Sequence, residues 1–221
     1  MVVLVTAYKN NDVVMSRIYT YLLPIIERYR EKVFPLLNEN DTRENFERYV
    51  REFPKVAFHG HGFTYALAGY RNQIILDPKN IHLLKGKDVL ATACLTAYYL
   101  GELAMKKGAK SYIGYIDELI IPLDPDVPPE RDRVFALFAP FLFYPLILQL
   151  EGYNPEEIYL YTTEFGKRYA YELIKTRDPV KRDVGYIILY NISIVYQVGV
   201  KRPNLLPLLY GGVITMLALL V

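Results

Sequence analysis

Two stretches of the sequence decide the fold that we predict: Val56-Ala57-Phe58-His59-Gly60-His61-Gly62 and Asp88-Val89-Leu90-Ala91-Thr92-Ala93-Cys94. Each is an apolar run that ends in reactive side chains. Continuous apolar runs of this length are typical of strands buried in a parallel sheet. Because open α/β sheets place their sites at the carboxyl ends of their strands, we expect the histidines and the cysteine to lie at one edge.

Strand and helix patterns alternate on both sides of these stretches, which favours an α/β fold with a mostly parallel sheet. The helical spacing of apolar residues and the position of Gly108 after residue 107 support the helices. The predicted strands are residues 2–6, 33–37, 55–58, 88–93 and 109–115, and the predicted helices are 13–30, 42–53 and 97–107. Residues 65–76 are predicted to form a hairpin with its turn at 68–72.

The pattern becomes helical after a turn-rich connection at residues 124–130. Helices are predicted for residues 134–150, 154–175 and 180–198, and Asn154-Pro155 is a typical helix start. We therefore predict one α/β domain with a helical C-terminal portion over residues 1–203, followed by an apolar segment at 204–221.

Composition excludes several classes of protein. Of the 221 residues, 52% are hydrophobic and 23% are charged, so a disordered chain is excluded. The 26 basic and 24 acidic residues give a net charge of +2, which does not indicate a nucleic-acid partner. The single cysteine, Cys94, excludes an intramolecular disulfide framework. The absence of Trp and the many Lys, Arg and Glu residues are a thermophile-like feature.

The N-terminus has neither the basic start nor the long apolar run of a secretory signal, so we expect a cytoplasmic protein. Two uncharged stretches, 134–150 and 205–221, would each be about 25 Å long as helices, which is the lower limit for crossing a bilayer. We interpret the first as a buried helix. For the second, which follows Lys201-Arg202, a buried element and a membrane anchor at the C-terminus both stay open.

The residues at the predicted sheet edge are those that cysteine peptidases need: a thiolate nucleophile, an imidazole that takes its proton, and backbone N–H groups for the oxyanion. Gly62 allows the backbone to approach a substrate carbonyl. Cys94 precedes the helix predicted at 97–107, whose N-terminus is expected to lower the thiol pKa.

These motifs also resemble a known family. The apolar strand that ends in Gly60-His61-Gly62 and the strand that ends in Ala93-Cys94 are similar to the two motifs of the caspase–gingipain clan of cysteine peptidases. The continuation to Gly108-Ala109-Lys110-Ser111-Tyr112-Ile113-Gly114 is most similar to the gingipain-like branch. The resemblance implies a three-layer caspase-like fold, His61 as base, Cys94 as nucleophile, and the Gly62 and Cys94 amides as oxyanion donors. It implies an endopeptidase that acts on a protein or peptide substrate, and we expect no cofactor.

Several alternatives stay open at this point. His59 is expected either to pack or to orient His61 through a hydrogen bond, and a metal held by His59, His61 and a third ligand, His82 or Cys94, is a weaker reading. Asp117 and Glu118 follow the next predicted strand and are candidates for binding a basic substrate side chain.

The competing functions are a non-catalytic scaffold of the same fold, with Cys94 simply buried, and a membrane-attached interaction protein. The sequence does not indicate an oligomeric state.

Overall fold

The computed structural model describes residues 2–9 and 12–199, and its central feature is a six-stranded sheet. In chain order the strands are β1 (Val3–Ala7), β2 (Val33–Leu37), β3 (Lys55–His59), β4 (His61–Phe63), β5 (Ala66–Ala68), β6 (Ile74–Leu76), β7 (Asp88–Thr92), β8 (Ser111–Tyr115) and β9 (Val195–Gln197). The main sheet has the order β2-β1-β3-β7-β8-β9, and β4-β5-β6 form a separate antiparallel sheet. Within the main sheet all pairs are parallel except β8 with β9.

Six α-helices accompany the sheets in the described part of the chain, and several begin with a capping side chain. The Thr42 hydroxyl and the Asp178 carboxylate accept backbone N–H groups at their helix starts, and Asn154 forms a capping box with Glu157. The helices are α1 (Val13–Arg28), α2 (Arg43–Tyr49), α3 (Glu102–Lys106), α4 (Arg133–Glu151), α5 (Pro155–Ile174) and α6 (Pro179–Ile194).

Apolar cores lie on both faces of the main sheet, because alternate residues of each buried strand point to opposite sides. Ala57 and Leu90 face a core that contains residues of α1, α4, α5 and α6. Phe58 and Ala91 face the other core, which contains residues of α2 and α3. Burial on both faces explains why the middle residues of β3 and β7, 56–58 and 89–91, are all apolar.

The structure confirms the prediction of an α/β fold with a mostly parallel sheet and a helical C-terminal portion. Several boundaries differ. The predicted hairpin at 65–76 is a three-stranded sheet that begins at His61. The helix predicted at 97–107 begins with one π-helical turn, Ala97–Gly101, before α3. The helix predicted at 180–198 ends at Ile194, since residues 195–197 form β9 against β8.

One helix in the described ranges, α4, is long and apolar enough to cross a membrane by length and composition, and more than half of its residues are buried inside the fold. Its apolar residues are accounted for by the core that it shares with α1, α5 and α6. The expectation for the segment 204–221 falls outside the described residues.

A buried ion pair connects α1 to the start of α4. The Arg17 guanidinium donates to the Asp132 carboxylate, and both side chains are almost fully buried. Arg17 also donates to the carbonyl oxygens of Val13 (3.0 Å) and Val127 (2.8 Å). Asp132 caps α4 by accepting the Phe135 N–H at 2.9 Å. The pair therefore fixes the N-terminal part of α1, which also carries a residue of the candidate site.

We predict that Arg17→Ala lowers the free energy of unfolding by about 3–5 kcal/mol, because it leaves the buried Asp132 carboxylate without its partner. Chemical denaturation measures the loss. The matched control is Arg30→Ala, whose side chain is 71% exposed and whose ion pairs should contribute less than about 1 kcal/mol. Equal losses in the two variants would contradict the structural role that we assign to Arg17.

Candidate active site

Polar residues follow the carboxyl ends of four neighbouring strands of the main sheet. Asp12 comes after β1, His61 after β3, Cys94 after β7, and Asp117 after β8. The pairing of β3 with β7 aligns His59 with Thr92, so His61 and Cys94 each lie two residues beyond an aligned pair. The structure therefore brings the predicted histidine and cysteine to adjacent positions on one edge of the sheet.

The backbone of Gly62 packs directly on the segment that carries Cys94. A Cβ atom at position 62 would overlap the Cys94 carbonyl oxygen and lie 2.7 Å from the Thr96 methyl carbon and 2.8 Å from the Ala93 Cβ. Real Cβ atoms essentially never make contacts this short, so this position requires glycine. This close approach is the physical reason for the glycine after His61, and it brings the backbone segments that carry His61 and Cys94 into contact.

Asp12 is the partner of the His61 ring. Its Oδ2 atom lies 2.9 Å from His61 Nε2, while its Oδ1 atom accepts the N–H groups of Val14 (2.7 Å) and Met15 (3.1 Å) at the start of α1. Burial raises the pKa of Asp12, but the hydrogen bonds from Met15, His61 and Val14 outweigh it, and the net pKa lies below the usual value. An ionised Asp12 accepts a hydrogen bond from the Nε2–H group, which leaves His61 Nδ1 as the basic nitrogen.

A buried tyrosine, Tyr8, lies next to the His61 ring. The Tyr8 ring centroid is 6.4 Å from that of His61, and the Tyr8 hydroxyl donates to Asn72 Oδ1 at 3.3 Å. Burial raises the pKa of Tyr8 most, a hydrogen bond with the His61 backbone lowers it by less, and the charges of Asp41 and Asp12 raise it further, so the phenol stays neutral. Tyr8 thus limits the space available to the His61 ring.

Cys94 is half-buried, and its sulfur accepts the Leu119 N–H at 3.3 Å. Burial raises the pKa of the Cys94 thiol, and the negative charges of Glu118 and Asp117 raise it further; the N–H groups of Leu119 and Cys94 itself lower it by less. The expectation of a lowered thiol pKa was therefore wrong. The helix that was expected to lower it begins as a single π-helical turn at Ala97, and burial is the largest influence on the thiol pKa.

The turn after Cys94 is strained. Leu95 has a φ of 62°, in the left-handed region that side chains other than glycine rarely adopt. Its N–H donates to the Asp117 carbonyl oxygen at 3.1 Å, which ties the turn after β7 to the loop after β8. Strain of this kind costs about 1–3 kcal/mol and clusters at functional sites.

Helix α6 holds the loop that borders the sulfur. The buried Asn191 side chain accepts the Ile120 N–H (3.1 Å) and donates to the Ile120 carbonyl oxygen (2.7 Å). The Tyr190 hydroxyl donates to the Glu118 carbonyl oxygen at 3.3 Å. These contacts position the Leu119 amide on the sulfur and keep the Asp117 and Glu118 side chains exposed at the edge of the site.

The other two histidines lie elsewhere. The His59 ring is fully buried beside Phe143, with a centroid separation of 5.6 Å, and neither ring nitrogen has a hydrogen-bond partner. Among the two roles considered, His59 therefore packs, and Asp12 rather than His59 bonds to His61. His82 is exposed. The described residues contain no group of three or more His, Cys, Asp or Glu side chains that could hold a metal ion, so the metal alternative lacks its third ligand.

Within residues 12–199, the His61 ring and the Cys94 sulfur bond to Asp12 and Leu119 rather than to each other. Catalytic hydrogen bonds are often long before substrate binds and tighten in the complex.

Sequence reasoning did not find Asp12, Tyr8 or Asn191 as parts of the site. For Asp12 a signal was present, because an aspartate directly before a helical pattern and after the first strand is a typical N-cap at the carboxyl edge of a sheet. Asn191 stands alone in an apolar helix, which gave no indication of its partner.

Comparison with known proteins does not add to this geometry: no protein-family model matches the chain, and no curated protein matches it.

We predict that His59 makes the fold sensitive to acid. Desolvation lowers the pKa of His59 to about 3 in the folded protein, whereas the unfolded chain binds that proton near pH 6.5. Its contribution to stability is therefore complete above pH 6.5 and is lost as the pH falls toward 3. Between pH 7 and pH 5 the loss should be about 2 kcal/mol.

Denaturation of His59→Leu at the two pH values tests this prediction. The variant should lose most of that pH dependence, whatever its overall stability, and His82→Leu, a change at an exposed histidine, should keep it. An unchanged pH dependence in His59→Leu would show that His59 is not buried in the neutral form.

Proposed function

We propose that this chain is a cysteine peptidase-like hydrolase that cleaves peptide bonds with Cys94 as nucleophile and His61 as base. The proposal depends chiefly on the Asp12–His61 pair, held at 2.9 Å at the sheet edge where a half-buried cysteine follows the neighbouring strand. Nucleophilic catalysis uses a thiol as nucleophile, an imidazole as its base, and a carboxylate that orients the imidazole.

In the proposed reaction, His61 Nδ1 accepts the Cys94 proton while Nε2 stays bonded to Asp12. The thiolate attacks the peptide carbonyl carbon, and the amides of Gly62 and Cys94 stabilise the oxyanion. Collapse of this intermediate breaks the C–N bond, and His61 gives its proton to the leaving amine. Water, deprotonated by His61, then hydrolyses the thioester and releases the carboxylic acid and the free thiol.

The raised thiol pKa supports a resting state in which the proton stays on the sulfur. Asp117 and Glu118, which contribute to raising it, are exposed at the edge of the site. A lysine or arginine side chain of a substrate would neutralise these carboxylates and favour the thiolate. We therefore propose a preference for a basic residue at the cleaved bond, coupled to activation of the nucleophile.

The same features support a caspase-like assignment of the fold, in the gingipain-like branch. Helices cover both faces of a mostly parallel sheet, as a three-layer arrangement requires, and the two motif residues follow adjacent strands. We further propose that the protein acts in the cytoplasm on protein or peptide substrates.

A non-catalytic scaffold of this fold is the second candidate. The observation that favours it is the state of the sulfur, which accepts a hydrogen bond from Leu119 rather than one from His61 and has a raised pKa. Attachment to a membrane through residues 204–221 would suit this candidate.

We predict that Cys94→Ala and His61→Ala abolish cleavage of a peptide library, and that Asp12→Asn lowers kcat/KM by about 100-fold or more, because the amide no longer stabilises the imidazolium. Mass spectrometry of the products measures cleavage. Asp178→Asn is the matched control, since Asp178 caps α6 in the same way that Asp12 caps α1. Unchanged cleavage in Cys94→Ala would refute the peptidase and favour the scaffold.

A second prediction concerns the pKa of the thiol. Burial raises it most, and removal of the two neighbouring charges should lower it. In Asp117→Asn/Glu118→Gln the pH midpoint of iodoacetamide alkylation should therefore move to lower pH, with faster labelling at pH 7. Glu156→Gln, a change at an exposed glutamate on α5, should leave the midpoint where it is. A midpoint that stays in place or rises in the double variant would contradict the proposed coupling between substrate charge and nucleophile.

A further inference from the structure

Four large aromatic side chains are exposed next to the candidate site. We call them the aromatic patch: Phe63, Tyr65, Tyr98 and Tyr99, which are 46%, 61%, 74% and 49% exposed. Exposed aromatic side chains in a group of this kind commonly mark a binding surface, whereas single ones need no explanation.

The aromatic patch comes from two segments that touch. One is the start of the β4-β5-β6 sheet, and the other is the π-helical turn after Cys94. The Leu100 N–H donates to the Thr64 carbonyl oxygen at 3.2 Å, and Gly62 packs on Ala93 and Thr96. The same contacts that place His61 beside Cys94 therefore make the patch continuous with the site.

The segments of the patch carry no formal charge. Residues 60–70 and 89–101 contain no Lys, Arg, Asp or Glu. A nucleic acid needs basic residues to neutralise its phosphates, so the patch fits an uncharged, apolar partner. Tyrosine rings offer a large contact area at low entropic cost, which is why binding surfaces often contain them.

The backbone at the patch suits an extended chain. β4 is the end strand of the order β4-β5-β6, its residues are half-buried or exposed, and it begins at His61 itself. An extended peptide that follows β4 away from the site advances about 3.3 Å per residue and passes Phe63 within a few residues.

We propose that the aromatic patch binds apolar or aromatic side chains of an extended peptide, within about four residues of the scissile bond. The chain would then act on segments that combine a cleaved bond with Leu, Ile, Phe or Tyr residues close to it. This inference rests on the proposed peptidase function. In it, Tyr98 and Tyr99 determine which peptides the protein prefers.

The test compares full-length wild-type protein with Tyr98→Ala and with Tyr171→Ala, a matched change at a 56% exposed tyrosine on α5. Tyr98→Ala should raise KM about ten-fold for library peptides with Leu, Ile, Phe or Tyr near the cleaved bond, with kcat little changed. With the same peptides carrying Ser or Gly at those positions, the KM of Tyr98→Ala should equal the KM of the wild type. The KM of Tyr171→Ala should equal the wild-type KM for both peptide sets. Equal KM values for both peptide sets in the wild type would overturn the inference while leaving the peptidase intact.

A binding experiment separates the inference from catalysis. Fluorescent peptides of the two sets are titrated onto Cys94→Ala and onto Cys94→Ala/Tyr98→Ala, with Kd as the readout. Tighter binding of the apolar set that depends on Tyr98 supports the patch even if wild-type protein cleaves nothing. Equal Kd values for the two peptide sets overturn the inference. So does a Tyr98-dependent association, in the absence of peptide, with uncharged phosphatidylcholine vesicles or between copies of this chain.

Discussion

The candidate site depends on the Asp12 carboxylate, which makes two sets of hydrogen bonds. Asp12 ends the loop after β1, and one of its oxygens caps α1 while the other holds the His61 ring at 2.9 Å. The cap makes the carboxylate rigid, because its position is fixed by two backbone N–H groups rather than by side-chain rotation. The Arg17–Asp132 pair fixes the helix itself against the start of α4. The orientation of the imidazole therefore follows from how α1 is anchored in the fold.

The second half of the site is set by close packing and by one loop. Gly62 lets the His61 segment lie directly on the backbone of Cys94, and Leu95 accepts an unfavourable φ so that the chain turns away after the cysteine. Asn191 holds the loop whose Leu119 amide touches the sulfur. Burial and the neighbouring carboxylates raise the thiol pKa, so under the proposed peptidase function a positively charged substrate side chain would favour the thiolate. The preference for a basic substrate side chain and the formation of the thiolate would then be linked.

The sequence predicted well what is local and periodic. Apolar runs placed β3 and β7, and the order of parallel strands placed His61 and Cys94 at one edge. It did not predict what depends on contacts between distant segments. The partnership of Asp12 with His61 joins residues 49 positions apart, and Asn191 with Ile120 joins residues 71 apart. The prediction of a lowered thiol pKa was wrong for the same reason, since burial of Cys94 in the folded chain and the charges of Glu118 and Asp117 raise that pKa.

Imidazole NMR tests the central claim most directly, because the chain has only three histidines. With ¹⁵N-labelled histidine, the ring nitrogens of His61 are compared between wild-type protein and Cys94→Ala. We expect His61 to carry its proton on Nε2 in both proteins, and its Nδ1 resonance to move when the thiol is removed. The resonances of the exposed His82 should stay in place. A His61 spectrum that is identical in the two proteins would show that the imidazole and the thiol do not share a site.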